Sequence, residues 1–169
     1  IRDLNVSIRD SDIRGDAGLE LRDERNRLLD ELSEYVKIDV TYSMEDVGAD
    51  TLIEKLTVTL ATGDKNPLVD GEYSTQFSLD PQNSSNYSMV LGPLTNDRGQ
   101  KQSEDDTGVT LGDNDLYGSL QSIRELLTEE GEFSSQADVD NDPNAATKRG
   151  IPYYRQALDS LAREFATEM

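Results

Sequence analysis

Residues 21–42, LRDERNRLLDELSEYVKIDVTY, contain a change of period that sets the architecture. Up to Tyr35 the apolar side chains recur at helical steps: Leu21, Leu28, Leu32 and Tyr35, with Leu29 and Val36 widening the stripe. A chain turning once every 3.6 residues lays such positions along one face. From Val36 the step becomes two. Val36, Ile38, Val40 and Tyr42 alternate with Lys37, Asp39 and Thr41, as a half-buried strand requires. A helix feeding directly into a strand predicts an α+β protein.

Toward the N-terminus, the helix is expected over about 17–36, with Asp16 capping its first amides. Asp23 with Arg27, and Arg27 with Glu31, stand four apart to pair on its exposed side. Ile1, Leu4 and Ile8 share a face of a preceding helical stub that breaks at Asp10-Ser11-Asp12 and Gly15-Asp16. Stub and helix together suit an antiparallel hairpin.

Toward the C-terminus, Leu56, Val58 and Leu60 alternate with Thr57 and Thr59, and weaker strands are expected at 73–79, 87–91 and 108–111. Asp70-Gly71, Asp80-Pro81 and Gly92-Pro93 punctuate them, and 94–106 reads as an exposed loop. Helical pattern then returns. Leu116, Leu120, Ile123 and Leu127 share a face, Asp115 is placed to cap, and Gly131 is placed to end the helix in the left-handed conformation. An acidic linker carries Pro143 at the start of a short helix. The last helix opens near Ile151 with Pro152 in its first turn, and its stripe is Ile151, Tyr154, Leu158, Leu161 and Phe165. That pattern still runs at Met169, and no cap precedes Ile1, so both terminal helices are expected to continue in a longer parent. The expected fold is therefore α+β. Terminal helices (1–36 and 115–169) pair into a rod, and a small, mostly antiparallel β domain (37–114) is inserted between them.

The 169 residues carry a formal net charge of -19 and 34% hydrophobic content. With no basic cluster longer than Lys148-Arg149, the field repels phosphate backbones and anionic lipid headgroups, so neither nucleic acid nor membrane is an expected partner. No apolar run approaches the roughly 20 residues that span a bilayer. Cys, His and Trp are all absent. This removes disulfides, thiolate and imidazole metal ligands, and Ser-His or Cys-His nucleophiles.

Few constellations with chemical potential remain. Asp138, Asp140 and Asp142 have the every-second spacing that opens a calcium loop, but Pro143 stands where the turn needs Gly and Arg149 where a bidentate acid belongs. Glu129 with Glu132, and Glu104 with Asp105, are acid pairs of the type used in glycoside hydrolysis, without the aromatic walls that shift carboxyl ionisation. Gly108 and Gly112 are not followed by the Lys-Ser or Lys-Thr of a phosphate loop. Asn5, Asn83 and Asn86 head glycosylation-type tripeptides, read foremost as polar surface. No catalytic, cofactor-binding or metal-binding residue is assigned. No enzyme activity and no cofactor are expected.

Two segments are more specific. Leu21-Arg22-Asp23-Glu24-Arg25-Asn26-Arg27-Leu28-Leu29-Asp30-Glu31-Leu32-Ser33, leading into the strand from Val36, resembles the L-D-Q-R-D-x-L-L-D-E-L-S stretch of the flagellar hook-associated protein 1 family. Gly118-Ser119-Leu120 with Ile123-Arg124-Glu125-Leu126-Leu127, and Gly150-Ile151-Pro152-Tyr153-Tyr154 with Leu158-Asp159-Ser160-Leu161-Ala162, resemble that family's G-x-L helix and I-P-x-Y-x-x-x-L-D-x-L-A helix. The resemblance implies a structural role: an axial subunit joining hook to filament, exported to the extracellular flagellum. It implies self-association in a ring, with hook protein and a neighbouring hook-associated protein as partners. The innermost terminal helices of that family are missing, so this chain alone is expected to be monomeric. The helical stripes Leu21, Leu28, Leu32, Leu120, Leu158, Leu161 and Phe165 would carry the contacts. Hook-associated protein 3 and flagellin share such terminal rods and are the nearest alternatives. A different class, an acidic adhesion module, would need Tyr73, Phe77 and Tyr87 gathered into one concave patch.

Overall fold

The computed structural model describes residues 1–48, 51–81 and 87–168. Along these run α1 (Arg2–Ile13), α2 (Leu19–Tyr35), β1 (Ile38–Asp46), β2 (Leu52–Leu60), β3 (Pro67–Asp70), β4 (Tyr73–Ser74), β5 (Phe77–Pro81), β6 (Tyr87–Leu91), β7 (Val109–Thr110), α3 (Ser119–Thr128), α4 (Gln136–Asn141) and α5 (Ile151–Glu168). The fold is α+β with antiparallel pairing throughout the described strands. They form two sheets rather than one, ordered β1-β2-β3-β4 and β5-β6-β7.

α1 and α2 pack on each other across the turn at 14–18, but the turn is built otherwise than the sequence suggests. α1 continues through Asp10-Ser11-Asp12. Asp12 does not break it because Arg22 of α2 grips that carboxylate with two 2.8 Å bonds. Gly18, with φ 54°, precedes the first residue of α2, and Asp16 accepts only the Gly18 N–H, at 3.3 Å, so it does not cap the helix.

β2 is the organising strand. It matches β1 residue for residue from Ile38↔Leu60 to Asp46↔Leu52, and Leu56, Val58 and Leu60 are buried on its covered face. On its other side lies β3, which no alternation announces because Leu68 and Val69 are consecutive and both buried. The β2–β3 ladder shifts between Val58 and Thr59, and such a bulge bends the strand. The expected strand at 73–79 divides: Tyr73 and Ser74 finish the first sheet, and Phe77 opens the second. Residues 75–76 cross between them, held by Thr75 N–H to the Leu68 carbonyl at 3.0 Å and by Gly92 N–H to the Gln76 carbonyl at 2.9 Å. The stretch 94–106 is anchored rather than loose. Leu94 is buried, and Asp106 accepts the N–H groups of Leu94 (2.9 Å) and Gly108 (3.0 Å).

One hydrophobic cluster joins α2, both sheets and the entry to α3: Leu29, Val36, Leu56, Val58, Leu60, Leu68, Val69, Met89, Leu91, Leu111 and Leu116. Burial of each such aliphatic chain contributes about 1.5–3 kcal/mol. α3 starts after Gly118, not at Asp115, whose carboxylate instead accepts Gly112 N–H at 2.7 Å. It closes at Glu129 in extended geometry, so Gly131, with φ 60°, lies beyond it in a 3-10 turn. Pro143 starts no helix; it falls between α4 and the 3-10 turn Ala145–Thr147.

Candidate interaction surface

The helical C-terminal third is held at its root by charge. Arg124, on the inner side of α3, contacts Asp113 and reaches Glu129 at 3.1 Å. Lys148, just before α5, reaches Asp142 at 2.8 Å, Glu125 at 3.0 Å and Asp113 at 3.6 Å. These cations tie α3, the linker and the start of α5 into one lattice. Burial pushes the Lys148 ammonium down, but its bonds to Asp142 and Glu125 outweigh this and hold it above its ordinary range. At Glu129 burial prevails over Arg124, and its carboxyl is raised. Gly150 completes the join, donating its N–H to the Glu129 carbonyl at 3.0 Å. Tyr153 then packs on Phe133, ring centroids 5.7 Å apart, with the Arg149 guanidinium 4.9 Å from its own ring.

A second polar clamp fixes the N-terminal helices. Glu54 of β2 accepts from Arg22 at 2.7 Å and from Arg25 at 2.6 Å, and Arg25 also donates to the Asn5 amide oxygen at 3.2 Å. Asn5 in turn donates to the Gly71 carbonyl at 2.9 Å.

Beyond its root, α5 turns its apolar stripe away from the body. Pro152 is buried, and Tyr153, Gln156 and Ala157 are half-buried, whereas Ile151, Tyr154, Leu158, Leu161 and Phe165 are exposed. Leu158 is 65% and Phe165 63% exposed. α3 adds Ile123 and Leu126, which also face outward although Ile123 belongs to the expected core stripe. The remaining stripe residues differ: Leu21, Leu28, Leu32 and Leu120 are half-buried in the body. The spacing of apolar residues thus located a seam on α5. It did not reveal that nothing in the described chain covers it.

The whole chain, residues 1–169, matches the family described as flagellar hook-associated protein FlgK, helical domain. This chain belongs to the FlgK family. It is a structural component of the bacterial flagellum, a hook-associated axial protein of the kind that joins hook to filament. No curated protein and no solved structure matches it.

In this FlgK-family chain the other candidate residues are used locally. Asp138 completes a capping box with Ser135, Asp140 accepts from Gln136 at 2.9 Å, and Asp142 binds Lys148 and the Asn144 N–H. Among the described residues no group of three acids is placed to hold a metal ion. Glu129 faces Arg124 while Glu132 accepts from the Tyr153 hydroxyl at 3.2 Å, so the two do not oppose each other. Glu104 and Asp105 lie exposed in a turn. Tyr73, Phe77 and Tyr87 line three different clefts and form no common patch. Asn5 is buried and fully engaged, not a surface acceptor; Asn83 and Asn86 lie outside the described residues. No described helix is long and apolar enough to cross a membrane.

Proposed function

We propose that the exposed seam of α5, with Ile123 and Leu126 of α3 beside it, is where this subunit meets other helices of the flagellar axis. One observation carries this reading. Five large apolar side chains repeat at 3-4-3-4 spacing along one side of an 18-residue helix and remain in solvent. A seam of that period is the complement of a second helix. In this reading residues 1–36 and 115–169 furnish the axial helical layer, and 37–114 project outward as an acidic lobe. The contact of α2 with α3, which brings the two terminal portions together, supports the first half of that division. Copies associate laterally into a ring, between hook protein on one side and a neighbouring hook-associated protein on the other. The dilute chain alone is monomeric, catalyses no reaction, and works outside the cell after export.

The test is complementation of a clean deletion by the gene carrying Leu158→Asp and Leu161→Asp together. Both positions are exposed, so the chain keeps its fold and is exported, but filaments are no longer retained on the hook. Normal filaments and swimming in that strain would overturn the proposal.

A further inference from the structure

β1 is the terminal strand of its sheet, and no described strand pairs with its outer side. The ladder fixes which groups point outward. Ala61 N–H donates to the Lys37 carbonyl at 3.0 Å, while Leu60 N–H turns the other way to Asn66 at 2.9 Å. In an antiparallel pair such bonds recur at every second residue. Residues 37, 39, 41, 43 and 45 therefore bond inward to β2, and Ile38, Val40, Tyr42 and Met44 direct their N–H and C=O groups to the free side. The side chains of Val40, Tyr42 and Met44, register partners of Val58, Leu56 and Glu54, are exposed along this edge. Neither Pro nor a bulge interrupts the nine residues, the devices that ordinarily blunt an edge.

We propose that β1 pairs antiparallel with β1 of a second copy of this chain, with Thr41 on the two-fold axis. Val40 of one copy then bonds to Tyr42 of the other, Ile38 lies opposite Met44, and Lys37 faces Glu45. Charge selects this register among those that match outward groups to outward groups. Centring on Tyr42 sets Asp39 against Glu45, and centring on Val40 leaves Lys37 opposite Ser43. Only the Thr41 register sets opposite charges, Lys37 against Glu45, at both ends of the odd-numbered face while the apolar Ile38, Val40, Tyr42 and Met44 meet on the other. Both partners are accessible: Lys37 is exposed, 6.0 Å from the Tyr117 ring, and Glu45 meets Arg9 at 2.8 Å yet keeps 44% of its side chain in solvent.

An edge contact of this size falls short of the roughly 1,200–2,000 Å² of a stable interface, so the pair forms only at high concentration. The net charge of -19 opposes it, over a range limited to about 8 Å at physiological salt. A two-fold pair points its members in opposite directions and cannot sit within a polar axial array. It therefore belongs to free subunits at high concentration, before assembly.

Sedimentation of the whole chain from about 10 μM to about 1 mM in physiological salt follows the equilibrium directly. A dimer is expected to grow in with concentration. Lys37→Glu and Glu45→Lys each place like charges across the edge and weaken pairing about tenfold. An equimolar mixture of these two variants restores it, since each supplies the sign that the other's edge lacks. Val40→Pro deletes an outward N–H without touching the β2 ladder and abolishes pairing, with circular dichroism reporting the retained fold. A chain that stays monomeric throughout, or a mixture no tighter than its components, would sink the proposal even if Val40→Pro failed to fold.

Discussion

Arg25 is only 2% exposed, and its guanidinium is shared between Glu54 at 2.6 Å and the Asn5 amide oxygen at 3.2 Å, with the Tyr42 ring 5.5 Å away. A buried cation is held by the partners that replace its water, and removing it leaves those partners stranded. Arg25→Met keeps the apolar stem but strips Asn5 and Glu54 of a donor, leaving Glu54 to Arg22 alone. Urea denaturation is expected to show a loss of about 2–4 kcal/mol. Arg25→Lys should recover little, because an ammonium cannot reproduce a fork that spans both acceptors. Arg27, two residues further and exposed beside Glu24 and Glu31, is the control: Arg27→Ala should leave the midpoint where it is. The contrast explains what the sequence hid at this scale. Arg25 and Arg27 are indistinguishable by type, and only the arrival of Asn5 from α1 and Glu54 from β2 makes one of them interior.

Between elements, a close approach of backbones lies where α5 meets α3. A Cβ added at Gly150 would lie 2.6 Å from the Glu125 carbonyl oxygen, 2.7 Å from that of Leu126 and 2.8 Å from that of Glu129. These are backbone atoms of a helix end and cannot swing aside. Gly150→Ala must therefore lift α5 off α3, at about 1–3 kcal/mol. A lowered thermal midpoint together with a changed near-ultraviolet signal from Tyr153 would register it, and a variant matching the wild type in both would refute the packing argument. Elements whose apolar residues keep a clean period were legible from sequence: β6 lies at its expected 87–91, α5 begins at Ile151, and β2 alternates as read. β3 was not legible, since Leu68 and Val69 are buried together and leave no period. In α3 the expected stripe holds at Leu120 and Leu127, both half-buried, but fails at Ile123, because Arg124 takes the inner position between them.

For the molecule as a whole, apolar spacing marked the α5 stripe and its resemblance to a family suggested contacts, but spacing does not say what covers a face, so the exposure of the seam was not legible. The distribution of acids has a consequence of its own. Burial raises the carboxyl of Glu129, and burial with nearby Asp138 raises that of Glu130. Their folded forms take up protons more readily than the unfolded chain, where they titrate near about 4.3, so stability rises as pH falls from neutral through the raised values. Asp70 and Glu125 behave oppositely. Burial alone would push both up, but Lys55, Gln102 and Thr57 around Asp70, and Gln121 and Lys148 beside Glu125, hold them below their ordinary range. The stability they contribute is present above the ordinary carboxylate range and is lost as pH falls through their lowered folded values. Relief of the -19 net charge adds to the gain on mild acidification. Stability should therefore climb from pH 7 to about 5 and drop below about 4. Denaturation midpoints across this range check it: Glu129→Gln should flatten the upper slope, leaving the share due to net charge, and Asp70→Asn should shrink the acid loss. An upper slope unchanged by Glu129→Gln would show that net charge alone sets it, and that the Arg124 lattice satisfies Glu129 in full.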